Sequence, residues 1–112
     1  MIVEHRTYRI TPGQLHNYMK LYEEEGLELQ SRHLGDPIGW YFTDIGVLNS
    51  VIHLWQYQDI NDRARRRSVL AADSAWHAYL PKVTPLIQEM RSEILLPAPF
   101  FKLSERHTSP AS

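Results

Sequence analysis

The chain is predicted to be an α+β domain of ferredoxin-like βαββαβ order, built on a four-stranded antiparallel sheet. Four segments rich in β-branched and aromatic residues, at 2–10, 38–44, 50–57 and 92–97, read as strands. Stretches with the apolar spacing of an amphipathic helix separate them in the order strand, helix, strand, strand, helix, strand. At 112 residues the chain has room for one such domain, expected over 1–102, with 103–112 a polar, disordered tail. Right-handed crossovers place the first and third strands side by side at the centre of the sheet.

The first strand, IVEHRTYRI, stops at Thr11-Pro12-Gly13, a pair of breakers that opens a helix. From Gln14 onward Leu15, Tyr18, Met19, Tyr22 and Leu29 share one helical face. Gly26 falls on that face, where a missing side chain permits close approach or marks a break. The helix is expected to end near Leu34-Gly35, before Asp36-Pro37. The second and third strands form a hairpin whose loop contains Gly46 and Asn49. Asp59 reads as the N-cap of the helix INDRARRRSVLAA, and Asp73 as the N-cap of another. In that last helix Trp76, Tyr79, Leu80, Val83, Leu86, Ile87 and Met90 occupy one arc. Pro81 and Pro85 lie off the arc; each removes a backbone hydrogen bond and is expected to bend the helix, with water satisfying the freed carbonyls on the solvent side.

Composition excludes several classes of function. The chain has no cysteine, so disulfides, thiol catalysis and thiolate metal sites are ruled out, and a reducing compartment, the cytoplasm, is expected. Twelve basic residues against thirteen acidic ones create no field that would draw nucleic acid or a membrane. MIVEHRTYRI lacks the apolar core of a signal peptide, and no apolar run is long enough to span a bilayer.

Strand parity sorts the sheet residues into two faces. One holds Val3, Thr7, Ile38, Trp40, Phe42, Ile52, Leu54, Ile94 and Leu96, with His5 among them, and is expected to carry the helices. The other holds Glu4, Arg6, Tyr8, Tyr41, Thr43, Val51, His53, Trp55, Tyr57, Glu93 and Leu95. An exposed aromatic patch of that size is a liability on a monomer. A second copy of the chain is expected to cover it, leaving a cavity between two facing sheets.

The same residues carry a family resemblance. YRITPG at 8–13, GWYFTDIGVLNSVIHLWQYQDINDRARRR at 39–67, WHAYLPKVTPLIQ at 76–88 and SEILLPAPF at 92–100 resemble the NIPSNAP family, over about residues 2–102. The most specific part is the run G-x-L-N-x-V-x-H-x-W-x-Y-x-D-x-x-x-R-x-x-x-R from Gly46 to Arg67. The resemblance implies a dimeric α+β barrel, in agreement with the two-face argument, and implies little about chemistry. The family's eukaryotic members are associated with mitochondria and vesicle traffic and are longer; nothing in this chain reproduces a targeting segment.

Candidate chemistry centres on His53, a side chain that titrates near neutral pH and is suited to general acid or base work. Arg6 is placed to bind an anion, and Tyr8, Tyr41, Trp55 and Tyr57 to supply an aromatic wall. The bland alternative is a histidine hydrogen-bonded inside a filled dimer interface. Glu4, Arg6 and Glu93 are expected to form a buried ion network, with Arg6 meeting Glu93 across neighbouring strands. Arg63 and Arg67, four apart, are expected to anchor their helix to the sheet, and Asp62–Arg66 to pair along it. A helix that neutralises its own charges makes a poor phosphate stripe, so no nucleic-acid partner is expected.

The six histidines show no short metal-ligand spacing, and no cofactor is predicted. Haem held by His53 stays open as an alternative, since related barrel families include haem-degrading and cofactor-independent monooxygenases; this is fold-level analogy. The expected function is the binding or transformation of a small organic molecule in a cavity between paired sheets. The alternatives are a non-catalytic dimerisation module and a haem-binding or oxygenase-type barrel.

Overall fold

A computed structural model describes residues 1–104; the rest of the expected tail, 105–112, lies outside the described residues. Four strands, β1 (Ile2–Ile10), β2 (Gly39–Phe42), β3 (Ser50–Tyr57) and β4 (Ile87–Leu95), form one antiparallel sheet in the order β2-β3-β1-β4. The two central strands are the expected pair. The sheet does not close on itself, and helices cover one of its faces. None of the described helices is long and apolar enough to cross a membrane.

The first helical stretch runs as α1 (Leu15–Leu21), a five-residue π-helical segment Tyr22–Gly26, and α2 (Leu27–Leu34). Gly26 is the reason the wide turn fits. A methyl group there would lie 2.7 Å from Cζ and 2.9 Å from Oη of Tyr79, so the missing side chain is the slot for a phenol from another helix. Gly35 ends α2 at φ 85°, a left-handed conformation that favours glycine. Asp59 caps α3 (Ile60–Ala72) by accepting from the Asp62 amide at 2.8 Å. Asp73 caps α4 (Ser74–Val83) by accepting from the Ala75 amide at 2.8 Å.

The last helix is shorter than its apolar arc suggests. Pro81 sits inside α4, but at Pro85 the chain has tightened into a 3₁₀ turn, and β4 begins at Ile87 rather than at 92. Trp76, Tyr79, Leu80 and Val83 still face inward together.

The assignment of the two sheet faces is reversed for β1 and β3 and holds for β2 and β4, where Trp40, Phe42 and Ile94 stand opposite His53, Val51 and Glu4 on the helix-covered face. The helices pack on the face that carries Glu4, Arg6, Tyr8, Val51, His53, Trp55 and Tyr57, all of them buried. Leu29, Leu34 and Leu70 cluster with Trp55 and Tyr57, and Tyr18 clusters with Tyr8, Ile10 and Val51. Burial of these side chains between sheet and helices stabilises the fold at roughly 25 cal/mol per Å² of apolar surface removed from water. The face of Thr7, Ile52 and Leu54 is the open one, and all three are half-buried on it. His5 lies there too, 3.4 Å from Glu93, rather than in the core.

Cross-strand register supplies two further corrections. Trp40 pairs with His53 and Tyr41 with Ile52, so Tyr41 leaves the aromatic wall and Trp40 joins it. Ser92, not Glu93, stands opposite Arg6. Strand parity is secure within one strand, but a hairpin loop with positive φ at Gly46 and Asn49 resets it between strands.

Candidate functional site

The polar centre of the sheet is Glu4, fully buried on β1. Its Oε2 accepts from Arg6 Nη1 at 2.8 Å, Arg63 Nη2 at 2.9 Å and Ser92 Oγ at 2.6 Å. Its Oε1 accepts from Tyr57 Oη at 3.2 Å, and Arg67 Nη1 stands 3.8 Å away. Burial pushes the carboxyl up, but the hydrogen bonds from Arg63 and Ser92 and the charges of Arg67 and Arg6 outweigh it, holding the pKa at about 2. Glu4 is therefore ionised. An ion network links Glu4 to Arg6, Arg63 and Arg67, and Glu93 is outside it, beside His5. Arg6 is also tied through Nε to Tyr8 Oη at 2.8 Å.

His53 lies next to this cluster on β3 with only 1% of its surface exposed. Trp40 stacks on its ring at 5.4 Å, and Tyr8 meets it edge-on at 5.0 Å. The indole Nε1–H of Trp55 donates to His53 Nδ1 at 2.7 Å. An indole nitrogen can only donate, so Nδ1 is an acceptor and the neutral ring carries its proton on Nε2. Burial, reinforced by the charge of Arg6 and opposed by that of Glu4, lowers the pKa to about 3. The imidazole is thus neutral at physiological pH, and its Nε2–H is buried without a protein acceptor.

Between this face and the helices lies a cavity of about 320 Å³. The sheet contributes Arg6, Tyr8, His53, Ile87 and Met90; the helices contribute Tyr18, Tyr22, Gln30, Arg67, Trp76, Tyr79, Leu80 and Val83. Burial pushes the phenols of Tyr18, Tyr22 and Tyr79 above their ordinary values, so all three are protonated. Tyr22 donates to Gln30 Oε1 at 2.5 Å. Tyr79 Oη and Arg67 Nη1 are buried with no hydrogen-bond partner in the protein. Such groups are rare in interiors, because each forfeits its hydration.

Of the residues singled out in the sequence, Arg6, Tyr8, His53 and Arg67 line this cavity. Trp55 sits behind His53 and Tyr57 behind Glu4, while Tyr41 is on the opposite face. The helix-borne Tyr18, Tyr22, Gln30, Trp76 and Tyr79 were read as core or not singled out. Their signal was present: three phenols on the inward arcs of two helices bring more hydroxyl groups than packing requires.

Two other concavities are larger. One, of about 420 Å³, lies on the open sheet face near Thr7, Arg9 and Ile52; the other, of about 500 Å³, runs along α1 near His16, Met19 and Trp40. Neither includes His53 or the Glu4 cluster. No group of three or more His, Cys, Asp or Glu suited to a metal ion occurs among the described residues. Haem does not fit His53 as it sits. Axial ligation needs a free ring lone pair, whereas Trp55 occupies Nδ1 and thereby places the proton on Nε2.

Comparison with known proteins separates fold from family. A structure described as an antibiotic biosynthesis monooxygenase matches at TM-score 0.63 over 88% of this chain and 100% of its own, but at 16% identity, which speaks for the ferredoxin-like fold alone. A NIPSNAP-like domain protein from Burkholderia xenovorans matches at TM-score 0.91 and 41% identity, over 99% of this chain and 97% of its own. A NIPSNAP family protein from Agrobacterium tumefaciens matches at TM-score 0.88 and 47% identity, over 92% and 98%. Human NipSnap homolog 2 is 32% identical over 97 residues, covering 86% of this chain and 33% of the relative. The NipSnap homolog of Dictyostelium discoideum is 29% identical over 94 residues, 84% of this chain and 41% of the relative. The chain thus spans about a third to two fifths of the length of these curated relatives. The NIPSNAP family model itself matches residues 3–102, nearly every described element of the fold, and the chain belongs to the NIPSNAP family.

Proposed function

We propose that this domain binds or transforms a small organic molecule in the cavity between its own sheet and helices. The observation that carries the proposal is a concavity of about 320 Å³ in which His53 and Tyr79 present buried polar atoms without protein partners. Ligand cavities have this composition: mostly apolar and aromatic walls with a few convergent polar groups. In this reading His53 acts as a neutral hydrogen-bond donor. A carbonyl or developing oxyanion that meets its Nε2–H would be polarised in a site shielded from water. A base role would require breaking the Trp55 bond first.

The test is a thermal-shift screen of planar organic acids, amides and alcohols on the wild type and on Leu80→Trp, which fills the cavity from α4. Compounds that stabilise the wild type should leave Leu80→Trp unmoved. A panel with no effect on the wild type would count against the cavity. Mass spectrometry of incubated compounds separates binding from turnover.

A second copy of the chain on the open face remains part of the proposal. That face exposes Tyr41 and Leu95 and half-buries Ile52 and Leu54. It also carries acids beside bases, Glu93 by His5 and Glu89 by Arg91, which a two-fold axis can match across copies. Light scattering at micromolar concentration tests it; a monomer would refute it.

A further inference from the structure

We infer that the ligand of this cavity is a small aromatic or apolar carboxylate, and that Arg67 is the residue that takes its carboxylate. The inference rests on the cavity reading above and adds the ligand's charge and its partner. It starts from a charge count. Three guanidiniums, Arg6, Arg63 and Arg67, surround one carboxylate, Glu4. His53 is neutral and adds nothing. Glu93, the acid expected to balance Arg6, faces the other side of the sheet beside His5. The cluster carries an excess of two positive charges around a fully buried carboxylate; water reaches about a quarter of the Arg63 and Arg67 side chains, and an anion from the cavity would offset the rest.

The three arginines are not equally engaged. Arg6 spends Nη1 on Glu4 and Nε on Tyr8 Oη, both at 2.8 Å. Arg63 spends Nη2 on Glu4 at 2.9 Å and leaves its buried Nε unpartnered, but it is not in the cavity wall. Arg67 is in the wall, and its Nη1 approaches Glu4 only to 3.8 Å, beyond hydrogen-bonding distance. That buried Nη1 has no acceptor in the protein. Arg67 also hydrogen-bonds Tyr57, which leaves Nη1 as its unspent donor, and a guanidinium N–H matches a carboxylate oxygen in charge as well as hydrogen bonding. The remaining wall of tyrosine, tryptophan and aliphatic side chains selects an aromatic or apolar body. A carbonyl or hydroxyl on that body would meet His53 Nε2–H or Tyr79 Oη. Arg6 is then a positioning residue that holds Glu4 and Tyr8, and Arg67 is the binding residue.

Calorimetric titration with benzoate, 3-phenylpropionate and 2-naphthoate, each paired with its primary amide, tests the inference. At least one acid should bind at least tenfold tighter than its amide. Arg67→Gln should weaken that acid tenfold or more and leave the amide unchanged, and Arg67→Lys should restore part of the loss. Thermal melts establish that both variants are folded. Acids and amides that bind equally, or an acid indifferent to Arg67→Gln in a folded variant, would overturn the carboxylate and leave the cavity reading standing. Failure of every acid and every amide to bind would overturn both.

Discussion

Trp55 and His53, two residues apart on the same face of β3, are joined by an indole N–H that donates to imidazole Nδ1 at 2.7 Å. This bond decides what the histidine can do. It places the ring proton on Nε2, opposes a second proton on Nδ1, and turns a candidate base into a donor. Replacing Trp55 with Phe keeps an aromatic ring but strands Nδ1 in a buried place. The expected loss is about 2 kcal/mol of stability by chemical denaturation, typical of an acceptor left unpaired.

Glu4 should be the most consequential single charge in the domain. Glu4→Gln leaves Arg6, Arg63 and Arg67 without their shared counterion. Breaking a buried ion cluster from one side costs roughly 3–5 kcal/mol. Urea unfolding of the variant measures it. A cost below about 1 kcal/mol would show the cluster to be well hydrated.

Acid should act on two groups in two windows. His53 is depressed from 6.5 to about 3, so the unfolded chain takes up a proton that the folded protein refuses. Its contribution is fully present above pH 6.5 and is lost as pH falls toward 3. Glu4 is depressed from 4.5 to about 2, so its contribution of about 3 kcal/mol is present above pH 4.5 and lost between 4.5 and 2. Stability measured against pH should therefore fall in two stages. His53→Gln should flatten the upper stage, between 6.5 and 4.5, and Glu4→Gln the lower one.

Gly26 should resist replacement for a reason outside its own helix. Gly26→Ala sets a methyl 2.7 Å from Tyr79 Cζ, so the buried phenol must give way. The clash should cost about 1–3 kcal/mol, more than the helix-forming gain of alanine, and should displace the phenol from the cavity. Unfolding midpoints report the cost, and weaker ligand-induced stabilisation reports the displacement.

What the sequence made legible is local. Asp59 and Asp73 announce helix starts, Gly35 a helix end, and the alternation in β1 and β3 the strands themselves. Each depends on contacts within a few residues. Face assignment depends on what covers the sheet, and the rule that apolar means inside failed here. Glu4, Arg6 and His53 look like a set for the side away from the helices when counted, yet they lie beneath them: Arg6 pairs with Glu4, Trp55 donates to His53, and Arg6 and His53 line a cavity. The same rule hid Tyr79, which reads as core on its helix and stands with an unpartnered hydroxyl in that cavity. The Arg6–Glu93 pairing failed by one residue of register, which strand parity alone does not supply.

The most direct check on the position of His53 beneath the chain's own helices, as a neutral donor, is a long-range proton–nitrogen spectrum of the histidine rings at pH 5.5. At that pH a solvent-exposed histidine is largely protonated. His53, assigned by its loss in His53→Gln, should remain neutral with its proton on Nε2. A protonated ring, or a proton on Nδ1, would contradict both the burial of this face and the role given to Trp55.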